Sequence, residues 1–371
     1  MCSRCIMDTS DPGITFDSDG VCNHCAKHDE LASQLPKSKA ESEKRLQHVV
    51  DTMKAYGKNK PYDCLLGISG GVDSSYMAYL AHQYGLRPLV VHFDNGWNSE
   101  QAVQNIEQIV SRLGFDLQTT VMHWEEFKDL QRSFLKASVI DIELLSDNAI
   151  ISTMFQLAKK NNIKYILSGH NVVTETHLPD AWTWMKYDVK NIKAIHKQFG
   201  QKKLKHFPLM NIFSFAWQQT FAGYQFIRFL DLAMYNKFEA IEVLKNELGW
   251  KEYGGKHTES IFTRFYQYHI LPAKFHVDKR RSHLSSMVCS GLIDREQALA
   301  DIQQPFYDEH ELESDLTYVA KKLEFTVAEL EEILRSPPKS HLAYPSELGV
   351  YNQIRKIKRL VYGSKTPGIV S

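Results

Sequence analysis

The chain has 371 residues, 43% of them apolar and 24% charged. This length suits two or three domains, and the balance is that of a globular protein rather than a disordered or fibrous one. Basic and acidic residues both number 44, a formal net charge of zero, which speaks against nucleic acid as the main partner even though a local basic face is compatible with a neutral total. Met1–Cys5 lacks the apolar core of an export signal, so the expected location is the cytoplasm.

Residues 1–28 carry Cys2, Cys5, Cys22 and Cys25, two C-x-x-C pairs separated by 16 residues. Each pair can supply two thiolates of a tetrahedron, the pattern of a structural Zn²⁺ site; an iron–sulfur centre and redox thiols are the alternatives. A module this short has little core of its own, so the metal would hold it together. Residues 29–60 form a linking segment, in which Leu46, Val49, Val50 and Met53 mark one face of an amphipathic helix.

From about 61 to 210, apolar runs alternate with helical patterns. Cys64–Ile68, Pro88–Phe93, Phe115–Met122 and Tyr165–Leu167 read as strands. Helices follow from Ser74 to about Gly85, from about Ser99 to Leu113 with Asn98 as its cap, and from about Ser146 with Ile150, Met154 and Leu157 inward. The expected fold class is therefore α/β, a doubly wound parallel sheet, preceded by the small zinc element and followed by a mainly helical region, 211–371. Ligands bind such sheets beyond the carboxyl ends of the strands. Three polar segments occupy that place: Ser69–Ser75, Asp94–Asn98 and Ser168–Asn171.

The first of these is the most informative. Ser69-Gly-Gly-Val-Asp-Ser-Ser75 joins a buried strand to a helix N-terminus, where backbone N–H groups and the helix dipole favour an anion. Asp73 beside a phosphate implies an intervening cation, hence Mg²⁺ with a nucleotide. The segment is neither a Walker loop nor a dinucleotide fingerprint. It resembles the S-G-G-x-D-S loop of the PP-loop ATP pyrophosphatases. That resemblance implies that Ser69, Gly70, Gly71, Val72, Asp73, Ser74 and Ser75 bind the pyrophosphate part of ATP. By position it implies that Asp94 and Asn95 meet the adenosine; a plain Asn-Gly turn is the alternative. Ser168-Gly-His-Asn-Val-Val-Thr-Glu-Thr176 resembles the second motif of the same family, which makes Gly169 and His170 part of the ATP site and Glu175 a partner of Asp73 on Mg²⁺. Glu175 simply favouring a helix N-terminus is the other reading.

Residues 209–227 carry no formal charge and are rich in Phe and Trp. Their Asn and Gln side chains are costly in hydrocarbon, so the expectation is a buried helical segment lining a pocket, not a membrane span. Farther on, Lys256, Arg264, Lys274, Lys279, Arg280 and Arg281 could clamp phosphates or form a solvated basic face. Thr326 with Glu329 makes a capping box, and Tyr351, Ile354, Ile357 and Leu360 mark a last helix. Trp97, Trp182, Trp184 and Trp217 could stack on sugar or base, or fill cores.

Together, the cysteine element, the Ser69 loop, Gly254-Gly-Lys-His-Thr-Glu-Ser260, Thr263–Phe265 and Asp278–Arg281 resemble the N-acetyl sugar amidotransferases of bacterial O-antigen and flagellar glycan synthesis. The resemblance implies conversion of an acetamido group on a nucleotide-linked N-acetyl sugar into an acetamidino group. It implies ATP, Mg²⁺ and structural Zn²⁺ as cofactors, with Asp73, Lys256, Arg264 and His170 in catalysis, His257 as a further proton carrier and Lys279 on phosphate. Ammonia would come from a separate glutaminase, with a cyclase-like subunit completing the complex. A tRNA thiolase is the alternative enzyme, although such enzymes use paired core cysteines and here Cys64 and Cys289 read as solitary. An inactive nucleotide-binding scaffold is the non-enzyme alternative.

Overall fold

The structure, a computed structural model, describes residues 1–252, 259–362 and 369–370. Its centre is a parallel sheet of β1 (Cys64–Ile68), β2 (Pro88–Asp94), β3 (Asp116–Val121), β4 (Tyr165–Ser168), β5 (Gln225–Arg228) and the two-residue β6 (Ile369–Val370), in the order β3-β2-β1-β4-β5-β6. All pairings are parallel, with Leu65 opposite Leu89 on one side and Ile166 on the other. Strands buried on both faces need apolar residues at every position, so β1, β2 and β4 read as continuous apolar runs.

Alternate residues face opposite layers. Cys64, Leu66, Ile68, Val90, Tyr165, Leu167 and Ile227 join one apolar core with the helices Lys39–Gly57, Val72–Gln83, Glu100–Leu113 and Lys237–Leu248. Leu65, Leu89, Val91 and Ile166 join a second core with the helix Leu144–Lys160. The third and largest core is helical. It gathers residues of the helices Trp124–Ala137, Val189–Phe199, Glu309–Lys322 and Val327–Arg335 and the four clustered cysteines of the N-terminal element. Thr326 and Glu329 form the expected reciprocal cap, and the last helix is Leu348–Tyr362.

Several expectations change. The helix Glu100–Leu113 is capped by Ser99, whose Oγ accepts from the N–H of Ala102 at 3.2 Å, because Asn98 is drawn away to His92 and Asp94. Ile150 is part-exposed, whereas Met154 and Leu157 are buried. The uncharged stretch is not one buried helix: Ile212–Thr220 is a nine-residue helix with Phe213 and Trp217 exposed, followed by exposed Phe221 and then β5. Strand β5 finds its place only by pairing with β4, a long-range contact invisible to local pattern, and it carries the sheet past residue 210. Among the described residues no helix is long and apolar enough to cross a membrane.

Candidate active site and thiol cluster

In the order β2-β1-β4 the chain leaves β1 for one side of the sheet and later returns to β4 on the other. That reversal opens a crevice at the carboxyl ends of β1 and β4, where doubly wound sheets bind ligands. The Ser69–Ser75 loop leaves β1 there and Ser168–Glu175 leaves β4 there.

The loop is held in one shape. Gly70 has φ +85°, and a Cβ on it would lie 2.7 Å from the carbonyl oxygen of Ala102, so only glycine fits. The Trp250 indole N–H donates to the Gly70 carbonyl at 2.9 Å and fixes the loop from outside. Inside the turn, the Ser69 N–H donates to Ser74 Oγ (3.1 Å), Ser74 Oγ to the Gly71 carbonyl (3.2 Å), and the Gly71 N–H to Ser69 Oγ (3.3 Å). Gly71 then caps the helix Val72–Gln83. The first N–H groups of such a helix have no carbonyl partner within it and present a positive end to an anion.

The second segment closes on the first. The β4 loop lies against the phosphate loop at Gly169, where a Cβ would be in ordinary contact with the Ser74 nitrogen (3.7 Å) and Asp73 (3.9 Å). Asn171 caps the short helix Val172–Glu175, accepting from the Thr174 N–H at 2.9 Å. Buried Asp231 accepts from the Val172 N–H at 2.8 Å and pairs with Arg228 at 2.5 Å, so β5 steadies the motif; burial raises the pKa of its carboxyl. Glu175 Oε2 lies 2.6 Å from Nδ1 of the exposed His170. The Tyr235 hydroxyl donates to Asp73 Oδ1 at 2.5 Å. Burial, the Asp73 carboxylate and, more weakly, Glu175 all push the Tyr235 hydroxyl well above its ordinary pKa, because both carboxylates face this tyrosine. Asp73 and Glu175 thus both act on the Tyr235 hydroxyl, and carboxylates together with the serine hydroxyls of the loop are oxygen donors of the kind Mg²⁺ takes.

At the end of β2, Asp94 Oδ1 accepts from the Gly96 N–H at 2.8 Å and Asn95 Oδ1 from the Trp97 N–H at 3.1 Å. An antiparallel bridge, Asn98 to Ser260, brings the start of the C-terminal region beside this turn. Trp97 is buried against Trp124 and Phe262, Trp182 is buried as well, and Trp184 stacks on His341, so these three serve packing; Trp217 is exposed.

The basic residues divide. Arg264 makes a two-pronged pair with Asp315 at 2.8 and 2.9 Å, and Lys279 pairs with Glu143 at 3.0 Å. Among the described residues neither bonds to the Ser69–Ser75 loop. Lys274 is a structural residue, its Nζ donating to the carbonyls of Ile333 and Ser336 at 2.6 and 2.7 Å. Arg280 holds Asp278 and the Gln304 carbonyl, and Arg281 the Ile6 carbonyl and Asp8. Lys256 and His257 lie outside the described residues.

The four knuckle thiols converge in a buried cluster. Sγ–Sγ distances are 3.8 Å for Cys2–Cys25, 3.7 Å for Cys5–Cys22 and 3.7 Å for Cys22–Cys25. Tetrahedral zinc with bonds of about 2.3 Å to sulfur sets its thiolates about 3.8 Å apart. The N–H groups of Arg4, Cys5 and Cys22 point at Cys2 Sγ at 3.2–3.5 Å, the outer-layer bonding that stabilises a metal-bound thiolate. Cys289 is not solitary: its Sγ lies 3.5 Å from Cys25 Sγ, because the helix Arg280–Cys289 packs on this element. Tyr235, Asp231, Trp250, His177 and Cys289 carry no local signature; each acquires its place from a partner at least 50 residues away in sequence.

Comparison with known proteins agrees with this arrangement. Residues 63–212 match the model of the queuosine biosynthesis protein QueC, and residues 259–358 match that of the LPS biosynthesis protein WbpG-like, C-terminal domain. A GMP synthase [glutamine-hydrolyzing] of Chlamydia caviae is 29% identical over 128 residues, 29% of this chain and 25% of that protein. A probable tRNA sulfurtransferase of Anoxybacillus flavithermus is 30% identical over 110 residues, 29% of this chain and 28% of that protein. The chain thus spans about a quarter of the length of the curated relatives it matches. Among solved structures, an NMN synthetase from Francisella tularensis aligns over 76% of this chain and 93% of its own at 14% identity and TM-score 0.34. An NH3-dependent NAD synthetase from Campylobacter jejuni aligns over 35% and 57% at 15% identity and TM-score 0.28. With the glycine-built loop at the switch point of its sheet, residues 63–212 form a QueC-like PP-loop domain, and residues 259–358 form a WbpG-like C-terminal domain.

Proposed function

We propose that this chain is an AMP- and pyrophosphate-forming amidotransferase. It would convert the acetamido group of a nucleotide-linked N-acetyl sugar into an acetamidino group, using ammonia delivered by a separate glutaminase, with a cyclase-like subunit in the complex. The observation that carries the reading is the convergence of Ser69–Ser75 with Gly169–Glu175 in a chain whose C-terminal region matches the WbpG-like domain.

An amide is a weak electrophile with a poor leaving group. In the proposed reaction its oxygen attacks the α-phosphorus of ATP, a P–O bond forms, and the bond to pyrophosphate breaks. Ammonia then adds to the imidate carbon and loses protons, and AMP departs with the former amide oxygen. The residues' task is to position reactants and hold developing charge. The N–H groups at Ser69–Ser75 would hold the pyrophosphate, and Asp94 and Asn95 would meet the adenosine. Asp73 and Glu175 would hold Mg²⁺, whose charge offsets that of the departing pyrophosphate. His170, oriented by Glu175, takes a proton from the attacking ammonia. Lys256, Arg264 and Lys279 add positive charge for phosphates, with Arg264 and Lys279 shared between substrate and their carboxylate partners. Four knuckle cysteines would hold Zn²⁺ and with it the N-terminal element.

The test is a reaction of purified chain with ATP, ammonium and nucleotide-linked N-acetyl sugars labelled with ¹⁸O in the acetamido carbonyl. The label should appear in AMP, and ¹⁵N from ammonium in the sugar. Release of ADP, or unlabelled AMP, overturns the assignment. Sulfur entering tRNA would put the thiolase reading in its place, and no ATP–pyrophosphate exchange under any condition would make the chain a scaffold.

A further inference from the structure

The thiol cluster does not end with the four knuckle cysteines. Cys289, half-buried at the end of the helix Arg280–Cys289, lies 3.5 Å from Cys25 Sγ on one side and 3.5 Å from Nε2 of fully buried His177 on the other. The donor atoms of Cys25, Cys289 and His177 all lie within 4.8 Å of one another. We propose that these three residues form a second zinc-class metal site that shares the Cys25 thiolate with the knuckle site, giving a sulfur-bridged pair of ions.

The geometry fits such an ion. With bonds of about 2.3 Å to sulfur and 2.0–2.1 Å to nitrogen, a tetrahedral zinc sets a thiolate and an imidazole nitrogen about 3.5 Å apart. The Cys289–His177 separation is 3.5 Å. The imidazole is aimed from behind: His177 Nδ1 lies 3.1 Å from the hydroxyls of Thr176 and of Ser286. Hydrogen bonding at Nδ1 leaves the Nε2 lone pair for a metal, the usual support of a histidine ligand. His28 is outside the set, since the donor atoms that converge within 4.8 Å are those of Cys25, Cys289 and His177. The ligand set is thus two thiolates and one imidazole, soft donors that select zinc over magnesium, with one position left for water. Five thiolates and two divalent ions leave one net negative charge.

Such an ion would join three separate parts of the chain. Cys25 belongs to the N-terminal element, Cys289 to the WbpG-like region, and His177 follows Glu175 by two residues. A second metal would therefore tie the carboxylate of the active site to both flanking modules, a positioning role without contact with substrate.

The experiment is a metal count by native mass spectrometry and elemental analysis on the full chain, purified reduced and supplied with Zn²⁺. Two zinc ions per chain are expected for the wild type and one for Cys289→Ala and His177→Ala. Cys22→Ser should lower both occupancies, since it opens the knuckle that positions Cys25. In the wild type, Cys289 should resist alkylation until a chelator is added, a readout that does not depend on any variant folding. One zinc per chain with rapid alkylation of Cys289, iron with acid-labile sulfide, or a count unmoved by Cys289→Ala would each overturn the proposal. None of these outcomes depends on the sugar reaction.

Discussion

Replacing Gly70 by alanine separates two costs that the structure assigns to the phosphate loop. The first is the left-handed backbone, φ +85°, which penalises an L side chain by about 1–2 kcal/mol. The second is steric: the new Cβ would stand 2.7 Å from the Ala102 carbonyl oxygen and 3.3 Å from its Cα, and a helix backbone cannot swing away as a side-chain tip would. Overpacking of this kind adds about 1–3 kcal/mol. Gly114, with φ +66° and nothing within 4 Å of its would-be Cβ, supplies the control, because Gly114→Ala carries only the first cost. Thermal unfolding should therefore show Gly70→Ala losing about 4–20 °C and Gly114→Ala about half as much or less, at roughly 2–4 °C per kcal/mol for domains of this size. Relief of the clash moves the loop and the Trp250 bond with it, so ATP–pyrophosphate exchange should fall at least about 100-fold in Gly70→Ala, the scale of a misplacement near 1 Å. In Gly114→Ala it should stay within about twofold, for the same positional reason. A Gly70→Ala protein as stable as Gly114→Ala, with exchange intact, would falsify the account of this loop.

Tyr235→Phe removes the hydroxyl that donates to Asp73 and costs that carboxylate a charge-assisted hydrogen bond, about 1.5–3 kcal/mol. The Mg²⁺ concentration for half-maximal exchange should rise about tenfold with a smaller change in maximal rate; an unchanged Mg²⁺ profile would remove Tyr235 from the site. Buried His341 is held neutral, its Nδ1–H donating to Asn191 at 2.7 Å, and burial pushes its pKa from 6.5 down to about 4. Between those values the unfolded chain binds more protons than the folded one. The contribution of His341 is thus full above pH 6.5 and is lost as pH falls toward 4, with a slope of at most about 1.4 kcal/mol per pH unit. Denaturant titrations at pH 7, 6 and 5 should show a shallower decline for His341→Gln, and parallel curves would rule this residue out as a source of acid lability.

What the sequence determined by itself is local. Unbroken apolar runs named β1, β2 and β4, since a strand buried on both faces admits little else. The glycines and serines of Ser69–Ser75 announced a loop that must approach an anion closely, and Gly70 proves to be the position where no other residue fits. Two C-x-x-C pairs announced their thiol cluster, because ligand spacing within a knuckle is set by a few residues of backbone. Tertiary structure decided everything that depends on partners distant in sequence. Strand β5 is short and unremarkable in composition, and pairing with β4 makes it a strand. Phe213 and Trp217 read as core and stand exposed, because burial depends on which neighbour covers a face and not on the residue's own apolarity. Lys274 and Arg281 read as either phosphate clamps or a solvated basic face, yet the carbonyls of Ile333 and Ser336 claim the first and the Ile6 carbonyl the second: a cation goes to whichever acceptors the fold brings within reach. Tyr235, His177 and Cys289 had no motif to announce them, and only the folding of the C-terminal half onto the sheet and the thiol cluster brings them to Asp73 and Cys25.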